Sequence, residues 1–238
     1  MWEKQIFCPR RQTCLRSLSY TGIVSKPAIV VFTKNVQPGH VKTRLSTVLD
    51  PAQTCRLYAA LLDHTRTLLE QTPCIRFVYY DQYIDERDNW DNSQFVKSQQ
   101  QGHDLRARMA AAASQIFGRG IAPLLILAAD CPELSQAHIA TAIEAMQQGK
   151  FVLGPTHSGG FYLLGLPGPA PWLFEGEWTE GQRGQLLLDR LKAQQVDYVC
   201  LQMLHDLTRP ADLQLLAQHP LVTPYLPDRG MEGSRTVA

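Results

Sequence analysis

Short apolar runs alternate with longer segments of helical periodicity through most of this 238-residue sequence. Residues 28–33, 75–80 and 124–129 read AIVVFT, IRFVYY and LLILAA, which are rich in β-branched, aromatic and leucine side chains. Between the first two runs, residues 51–70 carry leucines at helical spacing. Buried strands that alternate with helices are typical of a mostly parallel sheet with helices on both faces. The sequence therefore predicts a three-layer α/β fold.

The rest of the chain continues this alternation, without a repeat or a linker that would divide it. Further strands are predicted at 151–154, 161–166 and 198–201, and further helices at 104–117, from 135, at 182–195 and at 210–217. We predict a single domain over 27–227. The segments 1–26, which is basic, and 228–238 lack regular apolar periodicity and are predicted to be poorly ordered tails.

Charge and cysteine content exclude several classes of function. The formal net charge is +1, so no overall field favours nucleic acid or an anionic membrane as a partner. Six cysteines occur without the paired short spacings of metal knuckles or redox motifs. No apolar run approaches the roughly 20 residues of a membrane-spanning helix. We expect a soluble, cytoplasmic protein whose anion sites are local.

The loop after the first strand, residues 34–45, reads KNVQPGHVKTRL and is the strongest candidate for an anion site. It combines the cations Lys34, Lys42 and Arg44 with a hydroxyl at Thr43 and a turn at Gly39. Arginine offers two hydrogen-bond donors to phosphate oxygens and lysine a compact charge, so a diphosphate fits this loop. A solvated basic turn is the alternative. The spacing is not that of a P-loop.

Asp130 directly follows the apolar run at 124–129 and precedes Cys131 and Pro132. A carboxylate at the end of a strand can ligate a divalent cation that bridges two phosphates. The alternative is that Asp130 does no more than cap the turn that follows. Cys131 has no evident histidine partner, so we interpret it as a buried core residue and not as a nucleophile.

A third candidate loop spans 154–162 and reads GPTHSGGFY. Its paired glycines, Gly159 and Gly160, allow a ligand to approach the backbone closely. His157 is either a base or ligand, or a surface residue, and a lone loop histidine is more often the latter. In a parallel α/β sheet, ligands bind at the carboxyl ends of the strands, where all three loops would lie.

Five segments in order carry a resemblance to a known family: VFTKNVQPGHVKTRL, QGHDLRARM, AADCP, GPTHSGGFYLLGL and HDLTRPADL. Over about residues 28–217, the chain resembles uncharacterised bacterial glycosyltransferase-A-like proteins labelled rSAM/selenodomain-associated transferase 1, some of which are named arsenosugar-biosynthesis glycosyltransferases. The resemblance implies the Rossmann-like nucleotide-diphospho-sugar transferase fold. It also implies that the first loop surrounds the nucleotide and that Asp130 lies near a metal.

The sequence departs from this family at two carboxylates. Members typically have aspartate where this chain has Ser158, and a second aspartate where it has Thr208. Asp130 and Asp206 remain as metal-ligand candidates, with Mg²⁺ or Mn²⁺ as the expected cofactor, although hydroxyls are weaker ligands than carboxylates. Asp130 and Ser158 are the candidate catalytic residues, because Ser158 stands where the family's acid would be.

We predict a glycosyltransferase that uses a nucleotide-diphosphate sugar and a small-molecule acceptor, with catalysis of leaving-group departure by the metal and the loop cations. The alternative is nucleotidyl transfer from a nucleoside triphosphate, because residues 42–45 and the leucine-rich helix after them also resemble phospholactate guanylyltransferase. A third alternative is a non-catalytic nucleotide-binding member, because two carboxylates are missing. The sequence names neither the base nor the sugar nor the acceptor.

Overall fold

The computed structural model describes residues 26–226. Of the two predicted tails, residues 1–25 and 228–238 lie outside this range. The strands are β1 Ala28–Thr33, β2 Ile75–Tyr80, β3 Phe95–Gln99, β4 Leu124–Ala128, β5 Phe151–Pro155, β6 Phe161–Leu166 and β7 Tyr198–Cys200. The helices are α1 Pro51–Glu70, α2 Leu105–Gly118, α3 Gln136–Gln147, α4 Arg183–Ala193 and α5 Pro210–Leu215, with 3₁₀ helices at Thr43–Leu45, Pro171–Phe174 and Thr223–Tyr225.

All seven strands form one sheet in the order β3-β2-β1-β4-β6-β5-β7. β1 pairs in parallel with β2 and β4, and β5 pairs in parallel with β7. Of these seven strands, β6 alone runs antiparallel, between β4 and β5. A strand that runs antiparallel to its predecessor needs only a short turn, and residues 156–160 make that turn. The predicted mostly parallel α/β fold is confirmed.

Two apolar cores cover the two faces of the sheet, as the alternation of side chains along a strand requires. In β1, Ile29 and Val31 face the core that α1 and α3 cover, while Ala28 and Val30 face the core that α2 and α4 cover. β4 alternates in the same way, so both central strands are buried on both faces. This double burial explains why their sequences are continuous apolar runs.

A third apolar cluster fixes the loop after β1 against the C-terminal part of the described chain. Leu45 packs there with residues of α1 and of the α5 region, and its members are Leu45, Leu49, Leu57, Leu61, Leu207, Leu213, Leu216 and Val222. The adjoining start of α1 is also well defined. Asp50 accepts a hydrogen bond from the backbone of Gln53, whose side chain accepts one from the backbone of Asp50.

The topology places a crevice at the carboxyl ends of β1 and β4. After β1 the chain passes through α1 to β2, which lies towards one edge of the sheet. After β4 it passes through α3 to β5, which lies towards the opposite edge. Ligands in open α/β sheets bind at such a switch point. None of the helices within residues 26–226 has the length and apolar character that crossing a membrane requires.

Candidate active site at the switch point

A cleft of about 570 Å³ opens above the ends of β1 and β4. It contains most of the side chains that the sequence singled out. The predicted site residues that line it are Lys34, Lys42, Thr43, Arg44, Asp130, Ser158, Gly160 and Asp206. Gly39 and Gly159 are the two predicted ligand-binding residues that do not line this cleft. The three loops therefore converge, but two of their glycines have other roles.

Lys42 is a buried cation at the floor of the cleft. Its side chain is only 8% exposed, and its Nζ donates a 2.7 Å hydrogen bond to the backbone oxygen of Leu207. The same Nζ lies 3.7 Å from Oδ2 of Asp130 and 5.6 Å from the centre of the Tyr58 ring. Burial lowers the pKa of Lys42, and the charge of Asp130 opposes this shift. A solvated basic turn does not describe this residue.

Asp130 and Asp206 approach each other because the segment after β7 returns to the end of β4. The backbone N–H of Leu207 donates a 2.8 Å hydrogen bond to the backbone oxygen of Asp130. Burial raises the pKa of Asp206, and the nearby charge of Asp130 raises it further. The charges of both carboxylates raise the pKa of Lys42, against the larger opposite effect of burial. The cleft thus holds one buried lysine beside two acids, and the pKa of one of them, Asp206, is raised.

Ser158 and Thr208 stand where members of the family that this chain resembles have aspartates, and both contact the carboxylate of Asp206. Ser158 Oγ donates to Oδ2 of Asp206 at 2.6 Å, and Thr208 Oγ1 donates to the same oxygen at 3.3 Å. Ser158 Oγ also lies 3.0 Å from Oγ1 of Thr156, which accepts a hydrogen bond from the backbone N–H of Gly160. These contacts orient Asp206, and the catalytic role of Ser158 stays a prediction.

The donors present fit a metal ion only if the substrate completes its shell. Within the part of the chain that the structure describes, no three histidine, cysteine, aspartate or glutamate side chains are grouped so that they could hold a metal. Asp130 and Asp206 are two carboxylates, and Mg²⁺ commonly binds through one or two carboxylates together with substrate phosphates and water. A pre-formed cage is therefore absent among residues 26–226, and a substrate-assisted site is compatible with these two acids.

Arg44 forms an ion pair across the cleft that the sequence did not suggest. Its Nη2 donates to Oε1 of Glu180, in the connection that precedes α4. Both side chains are about half exposed. Glu180, Arg183 and Arg209 line the cleft together with Arg44, and none of the three was among the predicted site residues. No local pattern pointed to Glu180 or Arg183, whereas Arg209 lies in HDLTRPADL, one of the segments that carry the resemblance.

Arg108 and Gln100 are two further cleft residues without a predicted role. Gln100 Nε2 donates to the backbone oxygens of Thr33 and Tyr79, and its Oε1 accepts a hydrogen bond from Nη1 of Arg108 at 3.2 Å. Gln100 therefore ties the end of β1 to the start of α2. The signal for Arg108 was present, because it lies in the segment QGHDLRARM that carries the resemblance.

The two predicted glycines outside the cleft lining, Gly159 and Gly39, have different surroundings. Gly159 has a φ of +84°, and a Cβ there would lie 1.8 Å from the backbone oxygen of Gly181. Its own carbonyl accepts a hydrogen bond from the N–H of Gly184. Gly159 thus allows close approach of another chain segment, and its contact with a ligand stays a prediction. Gly39, with a φ of +76°, forms an exposed turn, and a Cβ added there would meet no atom of residues 26–226 within 4 Å.

Two other sequence interpretations concern Cys131 and His157. Cys131 is buried, its Sγ donates to the backbone oxygen of His205, and burial raises the pKa of its thiol. Its interpretation as a core residue is confirmed. The exposed His157 stacks on the ring of His205 with centroids 4.1 Å apart, outside the cleft lining.

Comparison with known proteins bears on the family and the fold of the chain. Residues 62–179, about half of the chain, match the family described as uncharacterized protein conserved in bacteria (DUF2064). No curated protein matches the sequence. Among solved structures, the chain is similar to a candidate nucleotide-diphospho-sugar transferase from Desulfovibrio desulfuricans G20, with 25% identity, a TM-score of 0.74, and coverage of 82% of this chain and 87% of that one.

A second solved structure shares the fold at much lower identity. It is a 4-diphosphocytidyl-2C-methyl-D-erythritol synthase, 12% identical, with a TM-score of 0.53 and coverage of 82% of this chain and 99% of that chain. Both similarities extend over most of the other protein's length, so they concern the complete fold. The chain is a member of the DUF2064 family of uncharacterised bacterial proteins and has the nucleotide-diphospho-sugar transferase fold.

Proposed function

We propose that this protein is a glycosyltransferase that binds a nucleotide-diphosphate sugar in the cleft and transfers the sugar to a small-molecule hydroxyl. The observation that carries this proposal is the buried Lys42 at the switch point, flanked by a basic loop and two carboxylates. The Desulfovibrio relative, described as a candidate nucleotide-diphospho-sugar transferase, supports it.

The loop cations are the groups that we assign to the diphosphate. Lys34 is exposed and close enough to Lys42 for its charge to lower the pKa of Lys42. Two lysines that repel each other in the free protein are stabilised when an anion binds between them. Arg44 and the hydroxyl of Thr43 complete the donors on this side. Because their positions are fixed by the fold, they favour the negative charge that develops on the departing diphosphate.

Asp206 is the group that we assign to the acceptor. Its raised pKa and its hydrogen bond from Ser158 suit a carboxylate that takes a proton from the attacking hydroxyl. In this scheme the acceptor oxygen bonds to the anomeric carbon, the bond from that carbon to the diphosphate breaks, and the hydroxyl proton passes to Asp206. A Mg²⁺ or Mn²⁺ ion held by Asp130 together with substrate phosphates would further offset the charge of the diphosphate.

Nucleotidyl transfer is the second candidate, and the excess of arginines in the cleft favours it. Arg108, Arg183 and Arg209 line the cleft in addition to the cations of the first loop. A nucleoside triphosphate together with a phosphorylated second substrate carries more negative charge than a sugar nucleotide with a neutral acceptor. The fold shared with the diphosphocytidyl-methyl-erythritol synthase is compatible with either reaction.

The decisive experiment identifies the phosphorus-containing product. Purified protein is incubated with Mg²⁺, a panel of sugar nucleotides and nucleoside triphosphates, and a mixture of small acceptors that carry hydroxyl or phosphate groups. Phosphorus NMR detects what is released. We expect a nucleoside diphosphate from one sugar nucleotide. Pyrophosphate from a triphosphate would replace glycosyl transfer with nucleotidyl transfer. Stabilisation by a nucleotide without either product would indicate a non-catalytic nucleotide-binding protein.

A pair of lysine variants connects the reaction to the cleft. Lys42→Met keeps the length of the buried side chain and removes its charge, whereas Lys192→Met removes an exposed charge on α4. We expect nucleotide binding to weaken at least tenfold in the first variant and to be unchanged in the second, because a hydrogen bond to a charged group contributes about 1.5–3 kcal/mol. Equal affinities would remove Lys42 from the diphosphate site.

A further inference from the structure

Four charged residues form a second polar group in the cleft, on the side of α4 and α5. We call it the Glu180 cluster, and its members are Arg44, Glu180, Arg183 and Arg209. Arg44 comes from the first loop and pairs with Glu180. Arg183 begins α4, and Arg209 directly precedes α5. Three separate segments therefore place arginines in the same part of the cleft lining as one carboxylate.

The cluster has more positive charge than its own carboxylate can balance. The hydrogen bond from Arg44 lowers the pKa of Glu180, and the charges of Arg183 and Arg209 lower it further. Across residues 26–226, no carboxylate oxygen lies within 4 Å of the guanidinium nitrogens of Arg183 or Arg209. Three guanidinium groups around one acid leave an excess of two positive charges beside the cleft.

Arg183 also has an unused hydrogen-bond donor. Its Nε is buried and, among the residues described, finds no acceptor. A buried donor without a partner is costly, and a charged donor especially so. A ligand that brings an oxygen anion to this position would supply the missing acceptor, because guanidinium groups bind phosphate and carboxylate oxygens with paired hydrogen bonds.

We propose that the Glu180 cluster is an anion subsite for the second substrate, and that Glu180 fills it until the phosphate or carboxylate group of that substrate binds Arg183 and Arg209. The subsite rests on the proposed transferase function, and it specifies an acceptor that carries an anionic group. Glu180 is about half exposed, so its side chain can move into solvent when the anion arrives. Arg44 borders both this subsite and the diphosphate site.

The test is a calorimetric titration of inorganic phosphate, with acetate as a second probe, into the free protein and into protein saturated with the nucleoside diphosphate that binds best. We expect phosphate to bind in both cases, because Arg183 and Arg209, which would bind it, are not among the residues assigned to the diphosphate. Acetate binding with the same dependence on the arginines would assign a carboxylate-bearing acceptor, and binding of phosphate alone a phosphorylated one.

Matched variants separate the subsite from general charge effects. Glu180→Gln should tighten phosphate binding about fivefold, the upper end of what an exposed ion pair contributes, because the competing carboxylate is removed. Glu177→Gln, in the same connection, is its control. Arg183→Gln and the more exposed Arg209→Gln should each weaken binding at least tenfold, while Arg56→Gln on α1 should not.

Three results would overturn the subsite. The first is absence of phosphate and acetate binding to the unmodified protein. The second is phosphate affinity that is the same in Glu180→Gln, Arg183→Gln and Arg209→Gln as in the unmodified protein. The third is full competition between phosphate and the nucleoside diphosphate, which would mean that both use one site. If phosphate binds through the cluster but no nucleotide binds, the subsite stands and the proposed transferase function fails.

Discussion

Lys42 connects the first loop to the segments that contain Asp130 and Leu207. Its backbone has a φ of 49°, in the left-handed region that non-glycine residues seldom adopt. This conformation begins the 3₁₀ helix Thr43–Leu45, whose Leu45 side chain enters the third apolar cluster. The packing of Leu45 therefore helps to hold the Lys42 amine close to Leu207 and Asp130, and the strained backbone lies within the candidate site.

At this scale, we predict that Arg44→Ala weakens binding of a nucleoside diphosphate by about 1.5–3 kcal/mol, the range for a hydrogen bond to a charged group. The loss is partly offset, because the variant also loses the ion pair with Glu180 that the ligand must replace. Isothermal titration calorimetry measures the change, with Arg56→Ala on the exposed face of α1 as control. Identical affinities in all three proteins would contradict the role of Arg44.

A second prediction at the residue scale compares two glycines with similar φ and different surroundings. Gly39→Ala should cost about 1 kcal/mol of stability, because only the left-handed backbone conformation opposes the new methyl group. Gly159→Ala should cost more, about 3 kcal/mol, because its Cβ would also overlap the backbone oxygen of Gly181. Urea unfolding measures both. Equal costs would show that the close contact of Gly159 with Gly181 does not hold in solution.

At the scale of elements, the start of α3 carries a pH-sensitive hydrogen bond. The backbone N–H of Ser135 donates to Nδ1 of His138 at 3.1 Å, which requires this nitrogen to be unprotonated. Burial lowers the pKa of His138. The stability that the neutral ring contributes is fully present above the unfolded-state pKa of about 6.5, and it is lost as the pH falls from there through the lowered folded-state pKa.

We therefore predict that His138→Gln reduces the loss of thermal stability between pH 7 and pH 5. Glutamine at this position can still accept the hydrogen bond from the backbone of Ser135 and does not titrate. The melting temperature across this range is the measurement, and His103→Gln, at a side chain that is 78% exposed, is the control. If both variants follow the unmodified protein at every pH, His138 does not contribute to acid sensitivity.

The elements themselves were predicted well where burial or helical periodicity is strong. β1, α1, β2 and β6 begin and end at the predicted residues. β3 was not predicted, because it lies at the edge of the sheet and pairs only with β2, so its side chains do not form an apolar run. Asp104 was placed within α2, whereas it is the residue whose side chain caps that helix.

At the scale of the whole molecule, the cleft depends on nearly the entire described chain. Its lining extends from Phe32 to Arg209 and draws on segments from both halves of the sheet, so no short segment could bind the ligand by itself. The third apolar cluster packs the first loop against the α5 region, and it thereby holds two parts of the cleft lining together. Ligand binding and global folding should therefore be coupled.

This coupling gives a prediction for thermal unfolding. A nucleoside diphosphate at about 100 times its Kd should stabilise the folded state by roughly 2.7 kcal/mol, because it binds the folded and not the unfolded chain. We expect differential scanning calorimetry to show one transition that moves upwards as a whole. A transition that splits, with only part of it responding to nucleotide, would contradict a single cooperative unit. Lys42→Met, with binding weakened at least tenfold, should reduce the stabilisation at the same nucleotide concentration to about 1.4 kcal/mol or less.

Contiguous residues were enough to define the α/β architecture and to place Lys34, Lys42, Arg44 and Asp130 at the carboxyl ends of strands, because burial patterns and strand ends are local properties of a chain. Which of these side chains meet was settled by long-range packing. Lys42 is 165 residues from Leu207, Arg44 is 136 from Glu180, and Ser158 is 48 from Asp206. Contacts over such separations depend on how the packed elements orient their loops, and no local pattern encodes that orientation.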